Sequence, residues 1–187
     1  MRSVYISMLR GVNVSGQRKL RMETLREIYQ RAGFCNVRTY VQSGNVVFEG
    51  PEKEPSMLTK DIEASIQQTC GYRVEVFIRL TSEFKQILEG NPFIRDRKEA
   101  SSKLHVTFLY QPPTVAAWRK LTVPAGTLDE FLPGERAIYL YCPNGYGKTK
   151  LSNNFFERKL GVPATTRNWN TINALYKLTL VRDSTPT

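Results

Sequence analysis

Three short segments of this chain alternate apolar residues with period two, and their order along the sequence limits the folds open to it. Val4, Ile6 and Met8 alternate with Tyr5, Ser7 and Leu9; Val74, Val76, Ile78 and Leu80 alternate with Arg73, Glu75, Phe77 and Arg79; Leu104, Val106, Phe108 and Tyr110 repeat the pattern. Side chains two apart share one face of a strand, so each segment reads as a strand with at least one buried face. Between the first two lie segments of helical period. Leu25, Ile28, Tyr29 and Ala32 recur at helical spacing up to Gly33, and Leu58, Ile62 and Ile66 form a stripe that starts at Pro55-Ser56 and stops at Gly71. Two β-rich runs, Val37–Val41 and Val46–Phe48, flank Gln42-Ser43-Gly44-Asn45, a stretch suited to a tight hairpin. The order over Ser3–Leu80 is βαββαβ, the split-βαβ or ferredoxin-like arrangement.

A helix over Ser82–Glu89 and a turn at Asn91-Pro92 lead into a second series. The strand at Leu104–Tyr110 precedes a helix over Pro113–Leu121, a hairpin of Phe131-Leu132 with Ala137–Cys142 around Pro133-Gly134, a helix over Lys148–Leu160 and a last helix over Thr171–Leu180. This half reads βαββα, with a helix where its fourth strand is due. The expected fold class is therefore α+β: two ferredoxin-like halves, residues 1–80 and 81–187, in a pseudo-duplicated structure packed as one body. The second half is degenerate and carries an extra C-terminal helix. Val4, Ile6, Met8, Val74, Val76, Ile78, Leu104, Val106 and Phe108 are expected to face the helices.

With 187 residues, 41% hydrophobic and 24% charged, the chain can bury a large core and is neither disordered nor membrane-spanning in composition. Its three cysteines, Cys35, Cys70 and Cys142, are far apart and odd in number, so they outline neither a disulfide framework nor a zinc pair. They read as reduced thiols, which places the protein in the cytoplasm; no cofactor is expected. The net charge of +10 is regional. Met1–Phe48 carries 8 basic and 2 acidic residues and Lys148–Arg182 carries 7 and 1, whereas Glu49–Gly147 is nearly balanced, with 12 and 13. If the two basic ends meet, they form a face that attracts phosphate or carboxylate.

Several motifs sit in those ends. Arg10-Gly11-Val12-Asn13-Val14-Ser15-Gly16 follows the first strand in a connection about twice the usual length, and its glycines with Arg10 suit either a phosphate cradle or a shaped turn. Gly145-Tyr146-Gly147-Lys148-Thr149 matches the tail of G-x-x-x-x-G-K-[ST], but Cys142 stands at the first glycine, which excludes a triphosphatase and leaves Lys148 as a simpler anion contact. Tyr5 lies in a string like the first strand of RNA-recognition domains, yet Asn45-Val46-Val47-Phe48 lacks their stacking aromatics. His105, the only histidine, has no nucleophile or metal-ligand neighbour at readable spacing and reads as structural. Arg167 and Asn168, ahead of the last helix, serve either as anion contacts or as a structural pair, with Asn168 or Asn170 as helix cap and Trp169 as anchor.

Taken together, Leu9-Arg10-Gly11-Val12-Asn13-Val14, Tyr40 to Phe48, Asn91-Pro92-Phe93 and Ala164-Thr165-Thr166-Arg167-Asn168-Trp169-Asn170-Thr171 resemble the mainly bacterial family named domain of unknown function 1697. The resemblance implies a soluble α+β fold of two ferredoxin-like halves and brings no reaction. The expected function is non-catalytic binding of anionic ligands, nucleotide or nucleic-acid phosphate, through a basic face with Arg10, Asn13, Lys148, Arg167 and Asn168 as ligand contacts, at least two of Arg10, Lys148 and Arg167 approaching a common pocket, and no membrane partner. The alternative is an enzyme acting on a phosphorylated or carboxylated small molecule, with the arginines and lysine as electrostatic clamps.

Overall fold

The computed structural model describes residues 2–14 and 18–181. Ser15 and Gly16, the end of the glycine-containing loop singled out above, lie outside them, as do residues 182–187. The chain divides into two compact units, one made of the residues up to Lys85 together with those from Asn173 onward, the other of Gln86–Ile172.

In the first unit, β1 (Arg2–Leu9), α1 (Met22–Arg31), β2 (Cys35–Tyr40), β3 (Asn45–Pro51), α2 (Pro55–Cys70) and β4 (Val76–Leu80) are followed by α3 (Thr81–Glu89). The four strands form one sheet in the order β2-β3-β1-β4, every neighbouring pair antiparallel. Pro55 opens α2, where a missing N–H costs nothing, and Gly71 closes it in the left-handed conformation, φ 77°. Leu25, Ile28 and Tyr29 of α1 and Leu58, Ile62 and Ile66 of α2 pack on Tyr5, Leu9, Val46, Phe48, Val76 and Ile78. Polar groups under this layer are satisfied within it or at its rim: Ser7 Oγ lies 2.6 Å from Tyr29 Oη, and Tyr5 Oη lies 3.1 Å from the carbonyls of Pro51 and Lys53.

The second unit contains α4 (Pro92–Arg95), β5 (Leu104–Leu109), α5 (Val115–Arg119), β6 (Glu130–Gly134), β7 (Ala137–Tyr141), α6 (Asn153–Leu160), β8 (Ala164–Asn168) and the start of α7 (Trp169–Leu180). Its sheet runs β6-β7-β5-β8, again antiparallel throughout. The fold is thus mixed α+β with two four-stranded antiparallel sheets. No described helix is long and apolar enough to cross a membrane.

Three expectations are corrected. The second half does not lack its fourth strand: Ala164–Asn168 pairs along β5 from Leu109↔Ala164 to His105↔Asn168. Its Thr-Thr-Arg-Asn composition hides it from a hydrophobic pattern. Lys148 does not open a helix running to Leu160; a single 3-10 turn, Tyr146–Lys148, ends there, and α6 starts at Asn153 behind an Ser152 cap whose Oγ accepts from Phe155 N. Finally, β4 faces the helices as expected through Val76 and Ile78, but β1 and β5 are inverted. Tyr5, Ser7 and Leu9, and correspondingly Leu109, face the helices, while Ile6, Met8, Val106 and Phe108 lie on the opposite face. Both faces of these central strands are buried, so alternation alone did not distinguish them.

The β2–β3 turn is tightly packed. Gly44 has φ 70°, and a Cβ there would lie 2.6 Å from Val12 Cγ2 and 2.8 Å from Leu9 Cβ. Gly44→Ala is expected to destabilise the protein by more than about 2 kcal/mol, combining left-handed backbone strain with overpacking; an unchanged urea midpoint would refute this packing.

Candidate functional site

The sequence candidates fall in both units. In the first, Arg10 extends its guanidinium to 4.0 Å from the Glu75 carboxylate, and its backbone N–H donates to the Glu75 carbonyl. Asn13 braces its loop: it takes φ 55°, its Nδ2 donates to the carbonyls of Leu20 (2.8 Å) and Gln42 (2.7 Å), and its Oδ1 accepts from Leu20 N (2.8 Å). An amide that satisfies three backbone groups in a left-handed position is what the loop itself requires.

In the second unit, Lys148 is exposed at the end of its 3-10 turn. Arg167 lies on the face of β8 away from α5 and α6, where its register partner on β5 is Val106. It is 9% exposed, and its guanidinium donates to Thr165 Oγ1 (2.8 Å) and the Thr166 carbonyl (2.9 Å). Burial disfavours its charged form and pushes its pKa down to about 10. Asn168 Oδ1 accepts from Thr171 N at 2.7 Å, an N-cap on the last helix.

On the helix side of the second sheet, apolar Leu109, Ile138, Leu140 and Ala164 share the face with a polar group across β5 and β8, His105, Thr107, Thr166 and Asn168; the matching register positions of β1 and β4 hold Tyr5, Ser7, Ile78 and Leu80. Thr107 and Thr166 hydroxyls meet at 2.8 Å, and Thr166 Oγ1 donates to Asn153 Oδ1 at 2.6 Å, so the hydroxyls form a closed chain. The Tyr146 ring stacks on His105, centroids 4.7 Å apart, and burial raises the pKa of its phenol. His105 is 8% exposed and its Nδ1 is buried without a hydrogen bond. Burial holds its pKa below the ordinary imidazole value, partly opposed by the Lys103 backbone.

Beside this cluster, the buried Asp129 carboxylate organises the segment after the 3-10 turn. Its Oδ2 accepts from Thr149 Oγ1 at 2.6 Å and from Lys150 N at 3.3 Å, and Thr149 Oγ1 in turn accepts from Leu151 N. Cys142 lies fully buried nearby, its thiol pKa pushed up to about 11 by burial, which makes it a poor nucleophile. The fixed segment forms one wall of a 540 Å³ cleft lined by Thr122, Pro124, Lys150, Ser152, Arg158 and Lys159 among others. Three cations and no carboxylate line it. Two other cavities differ: one of 320 Å³ sets Lys60 and Arg73 against Glu63 and Glu75, and one of 440 Å³ holds Arg31, which is paired with Glu27 at 3.2 Å. Among the described residues, no three His, Cys, Asp or Glu side chains gather as a metal site would require.

Sequence reasoning missed this cleft. Its cations lie in the basic stretch from Lys148, but reading one continuous helix there hid the turn that brings Lys150 opposite Arg158 and Lys159. The buried histidine generates a pH dependence with a definite sign. Below about pH 6.5 the unfolded chain takes up a proton that the folded His105 refuses, so stability is highest above that pH and falls as acid is added. Between pH 7.5 and 5.5 the melting temperature of the wild type should drop further than that of His105→Gln; equal drops would show that His105 does not titrate differently on folding.

No curated protein matches the chain. Among solved structures, the conserved bacterial protein SP0830 from Streptococcus pneumoniae has a similar fold, with TM-score 0.74 and 20% identity, covering 96% of this chain and 99% of that one. The model of the family described as protein of unknown function, DUF1697, matches residues 2–139, nearly three quarters of the length, and the chain belongs to that family.

Proposed function

We propose that this protein is a non-catalytic binder of anionic, phosphate-bearing ligands and that the cleft of the second unit is its binding site. The observation that carries the reading is the lining: Lys150, Arg158 and Lys159 share a 540 Å³ cleft with no carboxylate to neutralise them. Cations that converge on one concave surface raise the local concentration of anions, and the neighbouring Thr122, Thr149, Ser152 and Asn154 supply neutral hydrogen-bonding groups. Glu157, the one acidic residue of α6, is directed elsewhere, its Oε1 accepting from Ala164 N at 2.8 Å. Among the sequence candidates, Lys148 joins this reading as an outer cation on the same segment. Arg10, Asn13, Arg167 and Asn168 keep the structural partners described above.

The scaffold we propose is a pair of ferredoxin-like halves related by duplication. Each sheet runs second-third-first-fourth strand, all antiparallel, as that arrangement requires. A detail repeats between them: the fourth strands carry Arg79 and Arg167, opposite Ile6 and Val106 of the central strands, and each guanidinium donates to the carbonyl of the preceding residue, at 2.8 and 2.9 Å. Three free cysteines are consistent with the cytoplasm as its compartment.

Pyrophosphate at millimolar concentration should raise the melting temperature, by mass action on the folded state, and binding of mixed-sequence nucleic acid should weaken steeply with salt. The triple variant Lys150→Ala, Arg158→Ala, Lys159→Ala should lose both responses while melting at the wild-type temperature without ligand. Retention of the pyrophosphate shift by that variant would place the site elsewhere.

A further inference from the structure

We infer that the first unit carries a separate binding site, for a zwitterionic amino acid, in the 320 Å³ cavity between α2 and the segment 73–75 that leads into β4. Lys60, Glu63, Ala64 and Gln67 line it from α2, and Arg73, Val74 and Glu75 from that segment. The two walls are tied in place by hydrogen bonds to the backbone. Glu63 Oε1 accepts from Val76 N at 2.8 Å, and the Glu75 carbonyl accepts from Arg10 N at 3.0 Å, so both carboxylate-bearing residues are positioned before a ligand arrives.

Several polar groups around this cavity do not satisfy one another. Glu75 Oε2 is buried and accepts no hydrogen bond; the Arg10 guanidinium, 4.0 Å away, is beyond hydrogen-bonding distance. Among the described residues, the Lys60 ammonium, the Arg73 guanidinium and the Gln67 side-chain amide have neither a hydrogen bond nor an ion pair. A buried carboxylate oxygen without a donor costs free energy that a ligand N–H recovers, and an ammonium is the donor that also matches its charge. Two cations beside two carboxylates disfavour simpler ligands. A bare anion meets Glu63 and Glu75, and a metal ion meets Lys60 and Arg73; a molecule with one ammonium and one carboxylate complements both pairs. Glu75 takes the ammonium, and Arg73 and Lys60 take the carboxylate. The volume, at the small end for ligand pockets, suits a single amino acid whose side chain lies along Ala64, Val74 and Gln67.

A thermal-shift screen of the proteinogenic L-amino acids, followed by calorimetric titration of the one giving the largest shift, tests this. That amino acid should bind saturably, and its decarboxylated amine and its deaminated acid should each bind at least about tenfold more weakly. Glu75→Gln should weaken binding by a similar factor. So should the pair Lys60→Ala, Arg73→Ala, exposed positions whose truncation should leave the melting temperature unchanged, so that the loss is one of binding and not of folding. The cleft variant Lys150→Ala, Arg158→Ala, Lys159→Ala should bind the amino acid as the wild type does. Absence of saturable binding by every amino acid overturns the inference. Equal binding of either analogue, full affinity in Glu75→Gln or in the Lys60, Arg73 pair, or loss in the cleft variant overturns it as well. The pyrophosphate response of the cleft is read independently of all these results.

Discussion

The first strand of each sheet is hydrogen-bonded along both edges and covered on both faces, and much of the remaining architecture is arranged around it. β1 lies between β3 and β4, β5 between β7 and β8, and from Tyr5 to Leu9 and from Leu104 to Leu109 every residue is buried. A strand so enclosed must satisfy every backbone group within its own sheet and every polar side chain within its own layer. The first unit meets this demand with apolar residues, the Ser7–Tyr29 contact and the Tyr5 hydroxyl against the Pro51 and Lys53 carbonyls. The second meets it with a chain of hydroxyls, Thr107 to Thr166 to Asn153, which ties the central strand through β8 to the first residue of α6. That tie fixes the N-terminal end of the helix whose exposed side chains line the cleft.

Two buried polar anchors therefore converge on a short length of chain. Asn153 is held from the sheet, and Thr149 and Lys150 are held by Asp129 from the segment ahead of β6. A carboxylate buried without partners would be costly, but this one is hydrogen-bonded by a hydroxyl and a backbone N–H, so it serves to hold the turn in place. Anion recognition depends on cations whose positions are set before the ligand arrives, because ordering long side chains on binding consumes affinity. Lys150, its backbone N–H held by Asp129 and its ammonium donating to the Ala125 carbonyl at 2.8 Å, meets that condition.

Much of the fold was legible from apolar period alone, because in the first unit each helix buries one clear stripe and its two left-handed glycine closures, Gly33 and Gly71, mark the ends. The misreadings share a physical cause. β8 is built from Thr165, Thr166, Arg167 and Asn168, polar residues that are pairable in a sheet but invisible to a hydrophobic pattern. The facing of β1 and β5 was undecidable from alternation because both faces are buried. His105 read as an isolated strand histidine because its partner in stacking, Tyr146, lies on a distant turn. Regional charge pointed to the stretch that contains the cleft, and of the candidates drawn from conspicuous strings Asn13 braces its loop and Arg167 is buried along its strand. Conspicuous motifs marked difficult backbone; the cleft was built from ordinary surface cations that only the tertiary structure brings together.

The central claim, that the cleft of the second unit takes phosphate-bearing ligands, is tested most directly by following the backbone amide resonances of the protein during a titration with pyrophosphate. Saturable shifts confined to Thr149, Lys150, Ser152, Asn154, Arg158 and Lys159 and their immediate neighbours, all with one dissociation constant, are the predicted result. Shifts spread over the basic surface without saturation, or centred on the loop around Arg10, would contradict it.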